Sequence, residues 1–321
     1  KPSFPTRRSA DRMALAAGLA LLIDAPVLLS KSKRDRADSR RAAAFFAYGA
    51  PVAISLIFEH LLSVGDRFVI AAFLGEAATG AYAAGYAVAD RSLSIVFLWL
   101  GTTTGPLLVA ALEHKGRAAA REVARNTAGL MALIGFPAAA GLALVSGDAA
   151  RLLIGQDIAG EAARVIPFIA LSGLMNGLMT FYFHEAYILG RRPRSMAVIM
   201  AGAAVLNLGL NLILTPRFGL TGAALATVIA YGAALVFCAI HGRSAFTLPI
   251  PVRAWAGASL ATAAMAAVLI SLPAPEAAFT ALVVKIAVGG AVYAGAALIL
   301  NVNGCRGFIA GRLSAAREAR A

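Results

Sequence analysis

The sequence predicts an all-α membrane protein, a multi-spanning transmembrane helix bundle with about eight complete spans and a partial span before them. The composition is 60% hydrophobic and only 14% charged, with a mean hydropathy of +0.78. Soluble domains carry about 25% charged residues, so this chain is too apolar to be one. Apolar runs of 19 or more residues also recur between short polar links, as in proteins that cross a bilayer several times.

Three parts precede the first complete span. Residues 1–12 hold two prolines and no apolar run, so they are neither a signal peptide nor a helix and are interpreted as a non-native or truncated segment. Residues 13–30 are apolar but short, with Asp24 and Pro26 near one end, and are interpreted as part of a span. Residues 31–41 hold six Lys and Arg side chains and form a basic link.

Eight apolar segments follow, each long enough to cross a bilayer as a helix of about 20 residues. Their approximate bounds are 42–74, 79–112, 126–146, 163–189, 196–215, 219–240, 254–272 and 278–300. The polar links between them have fewer than about 20 residues, too few for an inserted soluble domain. The longest link predicted to lie outside, residues 147–162, is expected to hold a short helix at the membrane interface.

Basic residues are distributed unequally between alternate links. The link at 31–41, three of the later links and the end of the chain carry 19 Lys and Arg residues, whereas the remaining links carry three. Because cytoplasmic links are the basic ones, this bias predicts a cytoplasmic C-terminus and an even number of complete spans. It also accounts for the formal charge of +13 without a nucleic-acid partner, since the basic residues do not follow one face.

Two acid–base doublets, Asp66-Arg67 and Asp90-Arg91, lie inside the first two apolar segments. Charges at membrane depth cost free energy, so they pair with one another or face a water-filled cavity. The link at 75–80 is predicted to reverse the chain and to bring the doublets to nearly the same depth. We expect Asp66 to contact Arg91 and Arg67 to contact Asp90. These contacts would form a structural ion-pair network, line a substrate cavity, or do both.

Other polar residues extend this group. Glu59 lies seven residues before Asp66, on nearly the same helix face, and Lys285 lies about seven residues into the last span, where it reaches either the interface or a cavity. The candidates for a substrate cavity are Arg67, Arg91, Lys285, Asp66, Asp90 and Glu59. His184 and Glu185 are expected to reach the interface, and three asparagines are expected to bond between helices more than to bind substrate: Asn176, Asn207 and Asn211.

The sequence shows no motif for catalysis or metal binding. The four histidines have no partner four residues away and no neighbouring cysteine pair, and no phosphate-binding loop or nucleophile elbow is present. Cys238 and Cys305 do not indicate a disulfide framework. We therefore expect no enzymatic activity, no cofactor and no metal.

Five stretches carry a resemblance to a known family. They are AFFAYGAPVAISL at 44–56, DRFVIAAFLGEAATGAYAAGYAVA at 66–89, TGPLLVA at 104–110, LLIGQDI at 152–158 and PRFGLTGAALATVIA at 216–230. In this order, and after a basic link, the chain resembles the polysaccharide flippase branch of the multidrug/oligosaccharidyl-lipid/polysaccharide exporter superfamily, the Wzx-like O-antigen and exopolysaccharide translocases.

The resemblance implies a fold and a function. In that family two six-helix lobes enclose a central cavity and two further helices follow. Residues 42–240 would be the second lobe, 241–303 would hold the two additional C-terminal helices, and 304–321 would be a cytoplasmic basic tail. The implied function is flipping of undecaprenyl-pyrophosphate-linked oligosaccharide across the bacterial inner membrane for surface polysaccharide biosynthesis, with this chain a fragment of the full transporter.

The resemblance also implies partners and contacts. The partners would be the polyprenyl-linked oligosaccharide, membrane lipids and other polysaccharide-assembly proteins. Arg67, Arg91 and Lys285 would contact pyrophosphate or acidic sugars, because guanidinium groups bind such anions in a bidentate fashion.

Three alternatives remain open from the sequence. In a cation-coupled multidrug exporter of the same superfamily, Asp66, Asp90 and Glu59 would bind the coupling ion or a cationic drug. An enzyme acting on polyprenyl phosphates would need acidic or histidine clusters in a water-facing loop, and the links hold none. A truncated membrane protein without transport activity is the third.

Overall fold

The computed structural model describes residues 39–272 and 277–307, and their regular structure is entirely helical. The partial span predicted at 13–30, most of the basic link and most of the tail lie outside the described residues. The chain divides into two compact units, Lys1–Ala47 and Tyr48–Ala321, and the candidate site lies within the second.

Seven α-helices make up the described chain. Their bounds are α1 Ser39–Leu144, α2 Ser146–Leu153, α3 Gln156–Leu178, α4 His184–Leu189, α5 Pro193–His241, α6 Val252–Ser271 and α7 Ala278–Ile299. A π-helical turn, Met179–Phe183, joins α3 to α4, so that the two form one continuous helical stretch. Five such stretches are long and apolar enough to cross a membrane.

Three glycines interrupt the two longest helices. Gly75 and Gly116 divide α1, and Gly219 divides α5, each with a positive φ between 61° and 85° that side-chain-bearing residues rarely adopt. We refer to the parts as α1a (39–74), α1b (76–115), α1c (117–144), α5a (193–218) and α5b (220–241). The five apolar stretches thus contain eight helical segments that follow the eight predicted apolar runs, while the number of complete spans stays a prediction.

The interruption at Gly75 reverses the chain. Tyr82 donates a 2.5 Å hydrogen bond to Asp66, although 16 residues of straight helix would separate the two by about 24 Å. The break in α5 does the same, because Asn207 bonds to Thr227 at 3.3 Å across a separation of 20 residues. Each break therefore produces an antiparallel helical hairpin.

The outer surface is apolar, as expected for a chain surrounded by lipid. Phe68 is 74% exposed and Trp99 is 71% exposed, and many other large apolar side chains are exposed with them. A soluble protein does not leave so much apolar surface in contact with water. The predicted fold class, an all-α membrane bundle, is confirmed.

Close packing of the segments depends on small residues at particular positions. The ring of Phe97, only 1% exposed, packs against the backbone of Gly177 in α3 and of Gly135 in α1c. A Cβ atom added at Gly177 would lie 2.3 Å from this ring. Membrane helices commonly use glycine for such contacts, since backbones approach closely only without a side chain between them.

We expect Gly177→Ala to lower the stability of the purified protein by about 1–3 kcal/mol, because the new methyl group displaces Phe97 from a filled core. The matched control is Gly202→Ala in α5a, where a Cβ atom meets no neighbour within 4 Å. Thermal unfolding in detergent measures both variants. Equal midpoints would contradict the packing described around Phe97.

Candidate functional site

A polar cavity of about 490 Å³ lies between the first helical hairpin, the end of α3 and α5b. The helices around it are otherwise apolar, so its lining concentrates polar groups at one place. The lining residues are Leu56, Glu59, His60, Ser63, Val64, Arg67, Tyr86, Ala87, Asp90, Arg91, Asn176, Thr180 and Tyr231. The size and the mixture of apolar and convergent polar groups are typical of a ligand site.

Arg67 and Arg91 supply the positive charge of the cavity. The Arg67 guanidinium lies over the Tyr86 ring, 4.9 Å from its centroid, and this cation–π contact fixes its position. Its Nε is buried and has no hydrogen-bond partner among the described residues. Arg91 is exposed at the cavity surface. Within the described chain neither guanidinium has a carboxylate within 4 Å, so both keep donors for a ligand.

Glu59 is held in the cavity lining by a residue of another helix. The Thr180 hydroxyl lies 3.0 Å from a carboxylate oxygen of Glu59 and 3.1 Å from the side-chain oxygen of Asn176. Thr180 belongs to the π-helical turn, and such turns are frequent at functional sites because they redirect one side chain. The second acid of the lining, Asp90, accepts a weak hydrogen bond of 3.5 Å from Ser94.

Asp66 lies behind the cavity wall and is fully buried. One carboxylate oxygen accepts hydrogen bonds from Tyr82 and, at 3.4 Å, from Thr227. The other oxygen, Oδ1, has no partner among the described residues. A buried polar atom without a partner costs free energy, so this oxygen of Asp66 is an unfavourable feature of the fold.

Asparagines continue this buried polar network along α5a. Asn207 donates to Thr227 at 3.3 Å, and Asn211 donates to the side-chain oxygen of Asn207 at 3.2 Å. Thr215 donates to Asn211 at 3.2 Å in turn. The prediction that Asn207 forms a hydrogen bond between helices is confirmed. Asn211 bonds to Asn207 within the same helix and so continues the network. Asn176, in contrast, lines the cavity.

Comparison with known proteins agrees with this architecture. The sequence profile of a family described as "Polysaccharide biosynthesis protein" matches residues 14–160. The structure is similar to that of the lipid II flippase MurJ in an inward closed conformation, with a TM-score of 0.61 and 16% identity. The similarity covers 82% of this chain and 55% of MurJ, so the chain spans about half the length of that flippase. No curated protein matches the sequence.

The predicted resemblance is confirmed as far as a polysaccharide-biosynthesis profile over residues 14–160 and a flippase-like fold. The chain carries a polysaccharide-biosynthesis sequence pattern on a MurJ-like fold, and it is a multi-pass membrane protein. Within this flippase-like fold, the cavity borders the hairpin of α1a and α1b, which contains three of the sequence stretches on which the resemblance rests.

The flippase-like fold brings four of the six predicted candidates together. Glu59, Arg67, Asp90 and Arg91 line the cavity. Asp66 is adjacent but does not line it. Whether any of these residues contacts a substrate stays a prediction.

The predicted pairs Asp66–Arg91 and Arg67–Asp90 are wrong, since neither forms an ion pair. The prediction assigned six residues to the turn, whereas the chain reverses at Gly75 alone. Asp66 lies nine residues from this glycine and Asp90 lies fifteen, which corresponds to depths of about 13 and 22 Å. The doublets are therefore at different levels.

Lys285 is not brought to the cavity. Its Nζ lies 2.6 Å from a carboxylate oxygen of Asp148 in α2, and the two side chains are only 15% and 11% exposed. Lys285, predicted to reach either the interface or a cavity, pairs with a residue of α2, which is the short helix expected in the link at 147–162. No sequence pattern indicated Asp148 as the partner, since it lies 137 residues away along the chain.

The expectation that His184 reaches the interface is also wrong. His184 is 5% exposed, and its Nε2 is buried without a partner among the described residues. Glu185 is half-buried and approaches Gly105 closely, at 3.1 Å from an ideal Cβ position. The contact of Glu185 with Gly105 shows that α4 packs against α1b at this point.

Tyr86, Thr180 and Tyr231 line the cavity but were missed at the level of sequence, and one spacing could have identified the first of them. Tyr82, Tyr86 and Asp90 follow one another at intervals of four and therefore share one face of α1b. Tyr231 and Thr180 had no such signal, since they reach the cavity from helices far along the chain. Among the described residues, no group of three His, Cys, Asp or Glu side chains could hold a metal ion.

Proposed function

We propose that this chain takes part in flipping a pyrophosphate-linked oligosaccharide on a polyprenyl carrier across the bacterial inner membrane. The polysaccharide-biosynthesis profile and the flippase fold both support this function. Proteins of this fold act by conformational change, and the described site offers charged and hydrogen-bonding groups for a ligand, so we propose a transporter and not an enzyme.

The observation that carries the proposal is the pair of arginines in the cavity. Arg67 is held on the Tyr86 ring and Arg91 is exposed, and neither is neutralised by a carboxylate within 4 Å in the described chain. Guanidinium groups in this state bind pyrophosphate through parallel charge-assisted hydrogen bonds. Glu59 and Asp90 then remain to accept hydrogen bonds from sugar hydroxyl groups.

The second candidate function is the cation-coupled exporter. The formal charges of the cavity lining cancel, since two arginines face two carboxylates. In addition, the buried Asp66 has one oxygen without a partner in the described chain, and a carboxylate of that kind is what a coupling ion or a cationic drug requires. The arginines favour the flippase function, because a site for cationic drugs gains nothing from them.

Deletion of the gene separates the two functions. For a flippase, we expect surface polysaccharide to be lost and lipid-linked oligosaccharide to accumulate in the inner leaflet, with unchanged sensitivity to cationic dyes. Extraction and quantification of the lipid-linked intermediate provide the measurement. Intact polysaccharide together with increased dye sensitivity would favour the exporter.

The proposed orientation places the turn at Gly75 outside and the turn at Gly116 in the cytoplasm. In a background with Cys238→Ala and Cys305→Ser, we expect Ala77→Cys to react with an impermeant maleimide in intact spheroplasts. Lys115→Cys should react only after permeabilisation. The opposite pattern would invert the orientation derived from the basic residues.

A further inference from the structure

A second polar cavity, of about 480 Å³, lies where the start of α1c, the start of α6 and the end of α7 meet. Arg125 and Asn126 enter it from α1c, and Arg253 enters it from the first turn of α6. Asn301 and Asn303 enter it from the segment after α7. Three elements distant in sequence therefore direct cationic and amide side chains to one place.

The charge of this cavity differs from that of the first. Of the described residues that line it, two are arginines and none is acidic. Arg125 has an ion pair with Glu122, but both side chains are more than half exposed, so a ligand displaces this contact at little cost. The nearby Arg306 adds a further positive charge where it bonds to the last carbonyl groups of α7.

The segment after α7, residues 301–304, has an unusual backbone conformation. Asn301, Asn303 and Gly304 all have left-handed backbone conformations, which are unusual for two residues with side chains. Val302 between them is 2% exposed and anchors the segment in a core cluster with α1c and α6. Residues held in such conformations tend to cluster at ligand sites, because the surrounding structure must hold them there.

Asn303 is fixed particularly closely. Its side-chain oxygen lies 2.0 Å from the position that a Cβ atom would occupy on Gly129, so only glycine permits the contact. The Asn303 amide nitrogen lies 3.4 Å from the Asn126 carbonyl. The amide groups at the cavity are thus pre-organised, which lowers the entropic cost of binding a ligand.

We infer that this cavity binds a phosphate-bearing anion, either the headgroup of an anionic phospholipid or free phosphate. Two guanidinium groups without an acidic neighbour in the described lining match the geometry and charge of phosphate. Val252 and Leu300 flank the cavity with 71% and 45% of their surfaces exposed, which provides apolar contact for the glycerol and acyl part of a lipid. The inference does not depend on the flipping function, because it concerns binding alone.

Native mass spectrometry of the purified protein in non-ionic detergent measures ligand binding and tests the inference. The probes are dioctanoyl phosphatidylglycerol, dioctanoylglycerol without phosphate, and inorganic phosphate. The variant Arg125→Gln/Arg253→Gln removes both guanidinium groups, and Arg121→Gln, an exposed arginine one helical turn before Arg125, is the matched control. Arg253→Gln alone replaces the double variant if that protein does not fold.

We expect phosphatidylglycerol to bind, and the double variant to bind it at least about tenfold more weakly, whereas Arg121→Gln binds it normally. If inorganic phosphate shows this dependence and the lipid does not, the ligand is free phosphate. The inference is overturned if neither probe depends on Arg125 and Arg253, or if dioctanoylglycerol binds as well as phosphatidylglycerol.

Discussion

Lys285→Met is expected to lower the folding stability by about 3–5 kcal/mol, because it leaves the Asp148 carboxylate buried without its partner. Both side chains are mostly shielded from water, at 15% and 11% exposure, so water replaces the lost contact poorly. This pair connects α7 to α2. We therefore expect the variant to unfold at lower temperature or denaturant concentration in detergent.

A double variant separates the pair from either residue alone. Lys285→Met/Asp148→Leu removes both charges, and we expect it to recover most of the lost stability, since no isolated charge remains. Glu122→Gln, which breaks the exposed pair with Arg125, is the control and should cost less than about 1 kcal/mol. Additive losses in the double variant would show that Lys285 and Asp148 do not interact.

Arg67→Gln and Arg91→Gln are each expected to abolish surface polysaccharide in cells that carry the change in their own gene. Each variant removes a guanidinium group from the cavity while keeping a polar side chain, and a lost bidentate contact with pyrophosphate weakens binding at least about tenfold. Lipid-linked oligosaccharide should accumulate in the inner leaflet, and sensitivity to cationic dyes should not change.

Two further variants guard against indirect effects. Arg217→Gln removes an exposed arginine outside the cavity, and it should leave polysaccharide unchanged. Arg91→Lys retains the charge but not the bidentate geometry, so a partial loss is expected. Normal amounts of each variant in the membrane, measured by immunoblotting, exclude a folding defect. Normal polysaccharide in Arg67→Gln and Arg91→Gln cells would remove both residues from the proposed site.

The helical segments could be predicted because their signal is local. A run of about 20 apolar residues crosses a bilayer stably only as a helix or as part of a closed barrel. Each predicted run coincides with a helical segment, and the two sets of bounds differ by at most nine residues. Gly75 shows the limit of this approach. The prediction used the composition of the link at 75–80 and placed a six-residue turn there. A single glycine with positive φ reverses the chain instead, so Asp90 lies further from the turn than predicted.

Contacts between helices could not be predicted, since their partners are distant in sequence. Asp66 bonds to Thr227 across 161 residues, and Lys285 bonds to Asp148 across 137. Four of the six candidates nevertheless share one cavity, because Glu59 and Arg67 lie on one helix of the hairpin, and Asp90 and Arg91 lie on the other. The hairpin itself was predictable, whereas the cavity residues from α3, the π-helical turn and α5b were not.

Reconstitution into liposomes tests the proposed flipping most directly. The protein is incorporated into vesicles with a fluorescently labelled undecaprenyl-pyrophosphate oligosaccharide, and a membrane-impermeant quencher reports how much label is on the outer leaflet. We predict that the wild-type protein and Arg217→Gln move the label between leaflets faster than empty vesicles do. Arg67→Gln and Arg91→Gln should not exceed the rate of empty vesicles. A wild-type rate equal to that of empty vesicles, or equal rates in the wild type and both cavity variants, would contradict a flippase that binds its substrate through these arginines.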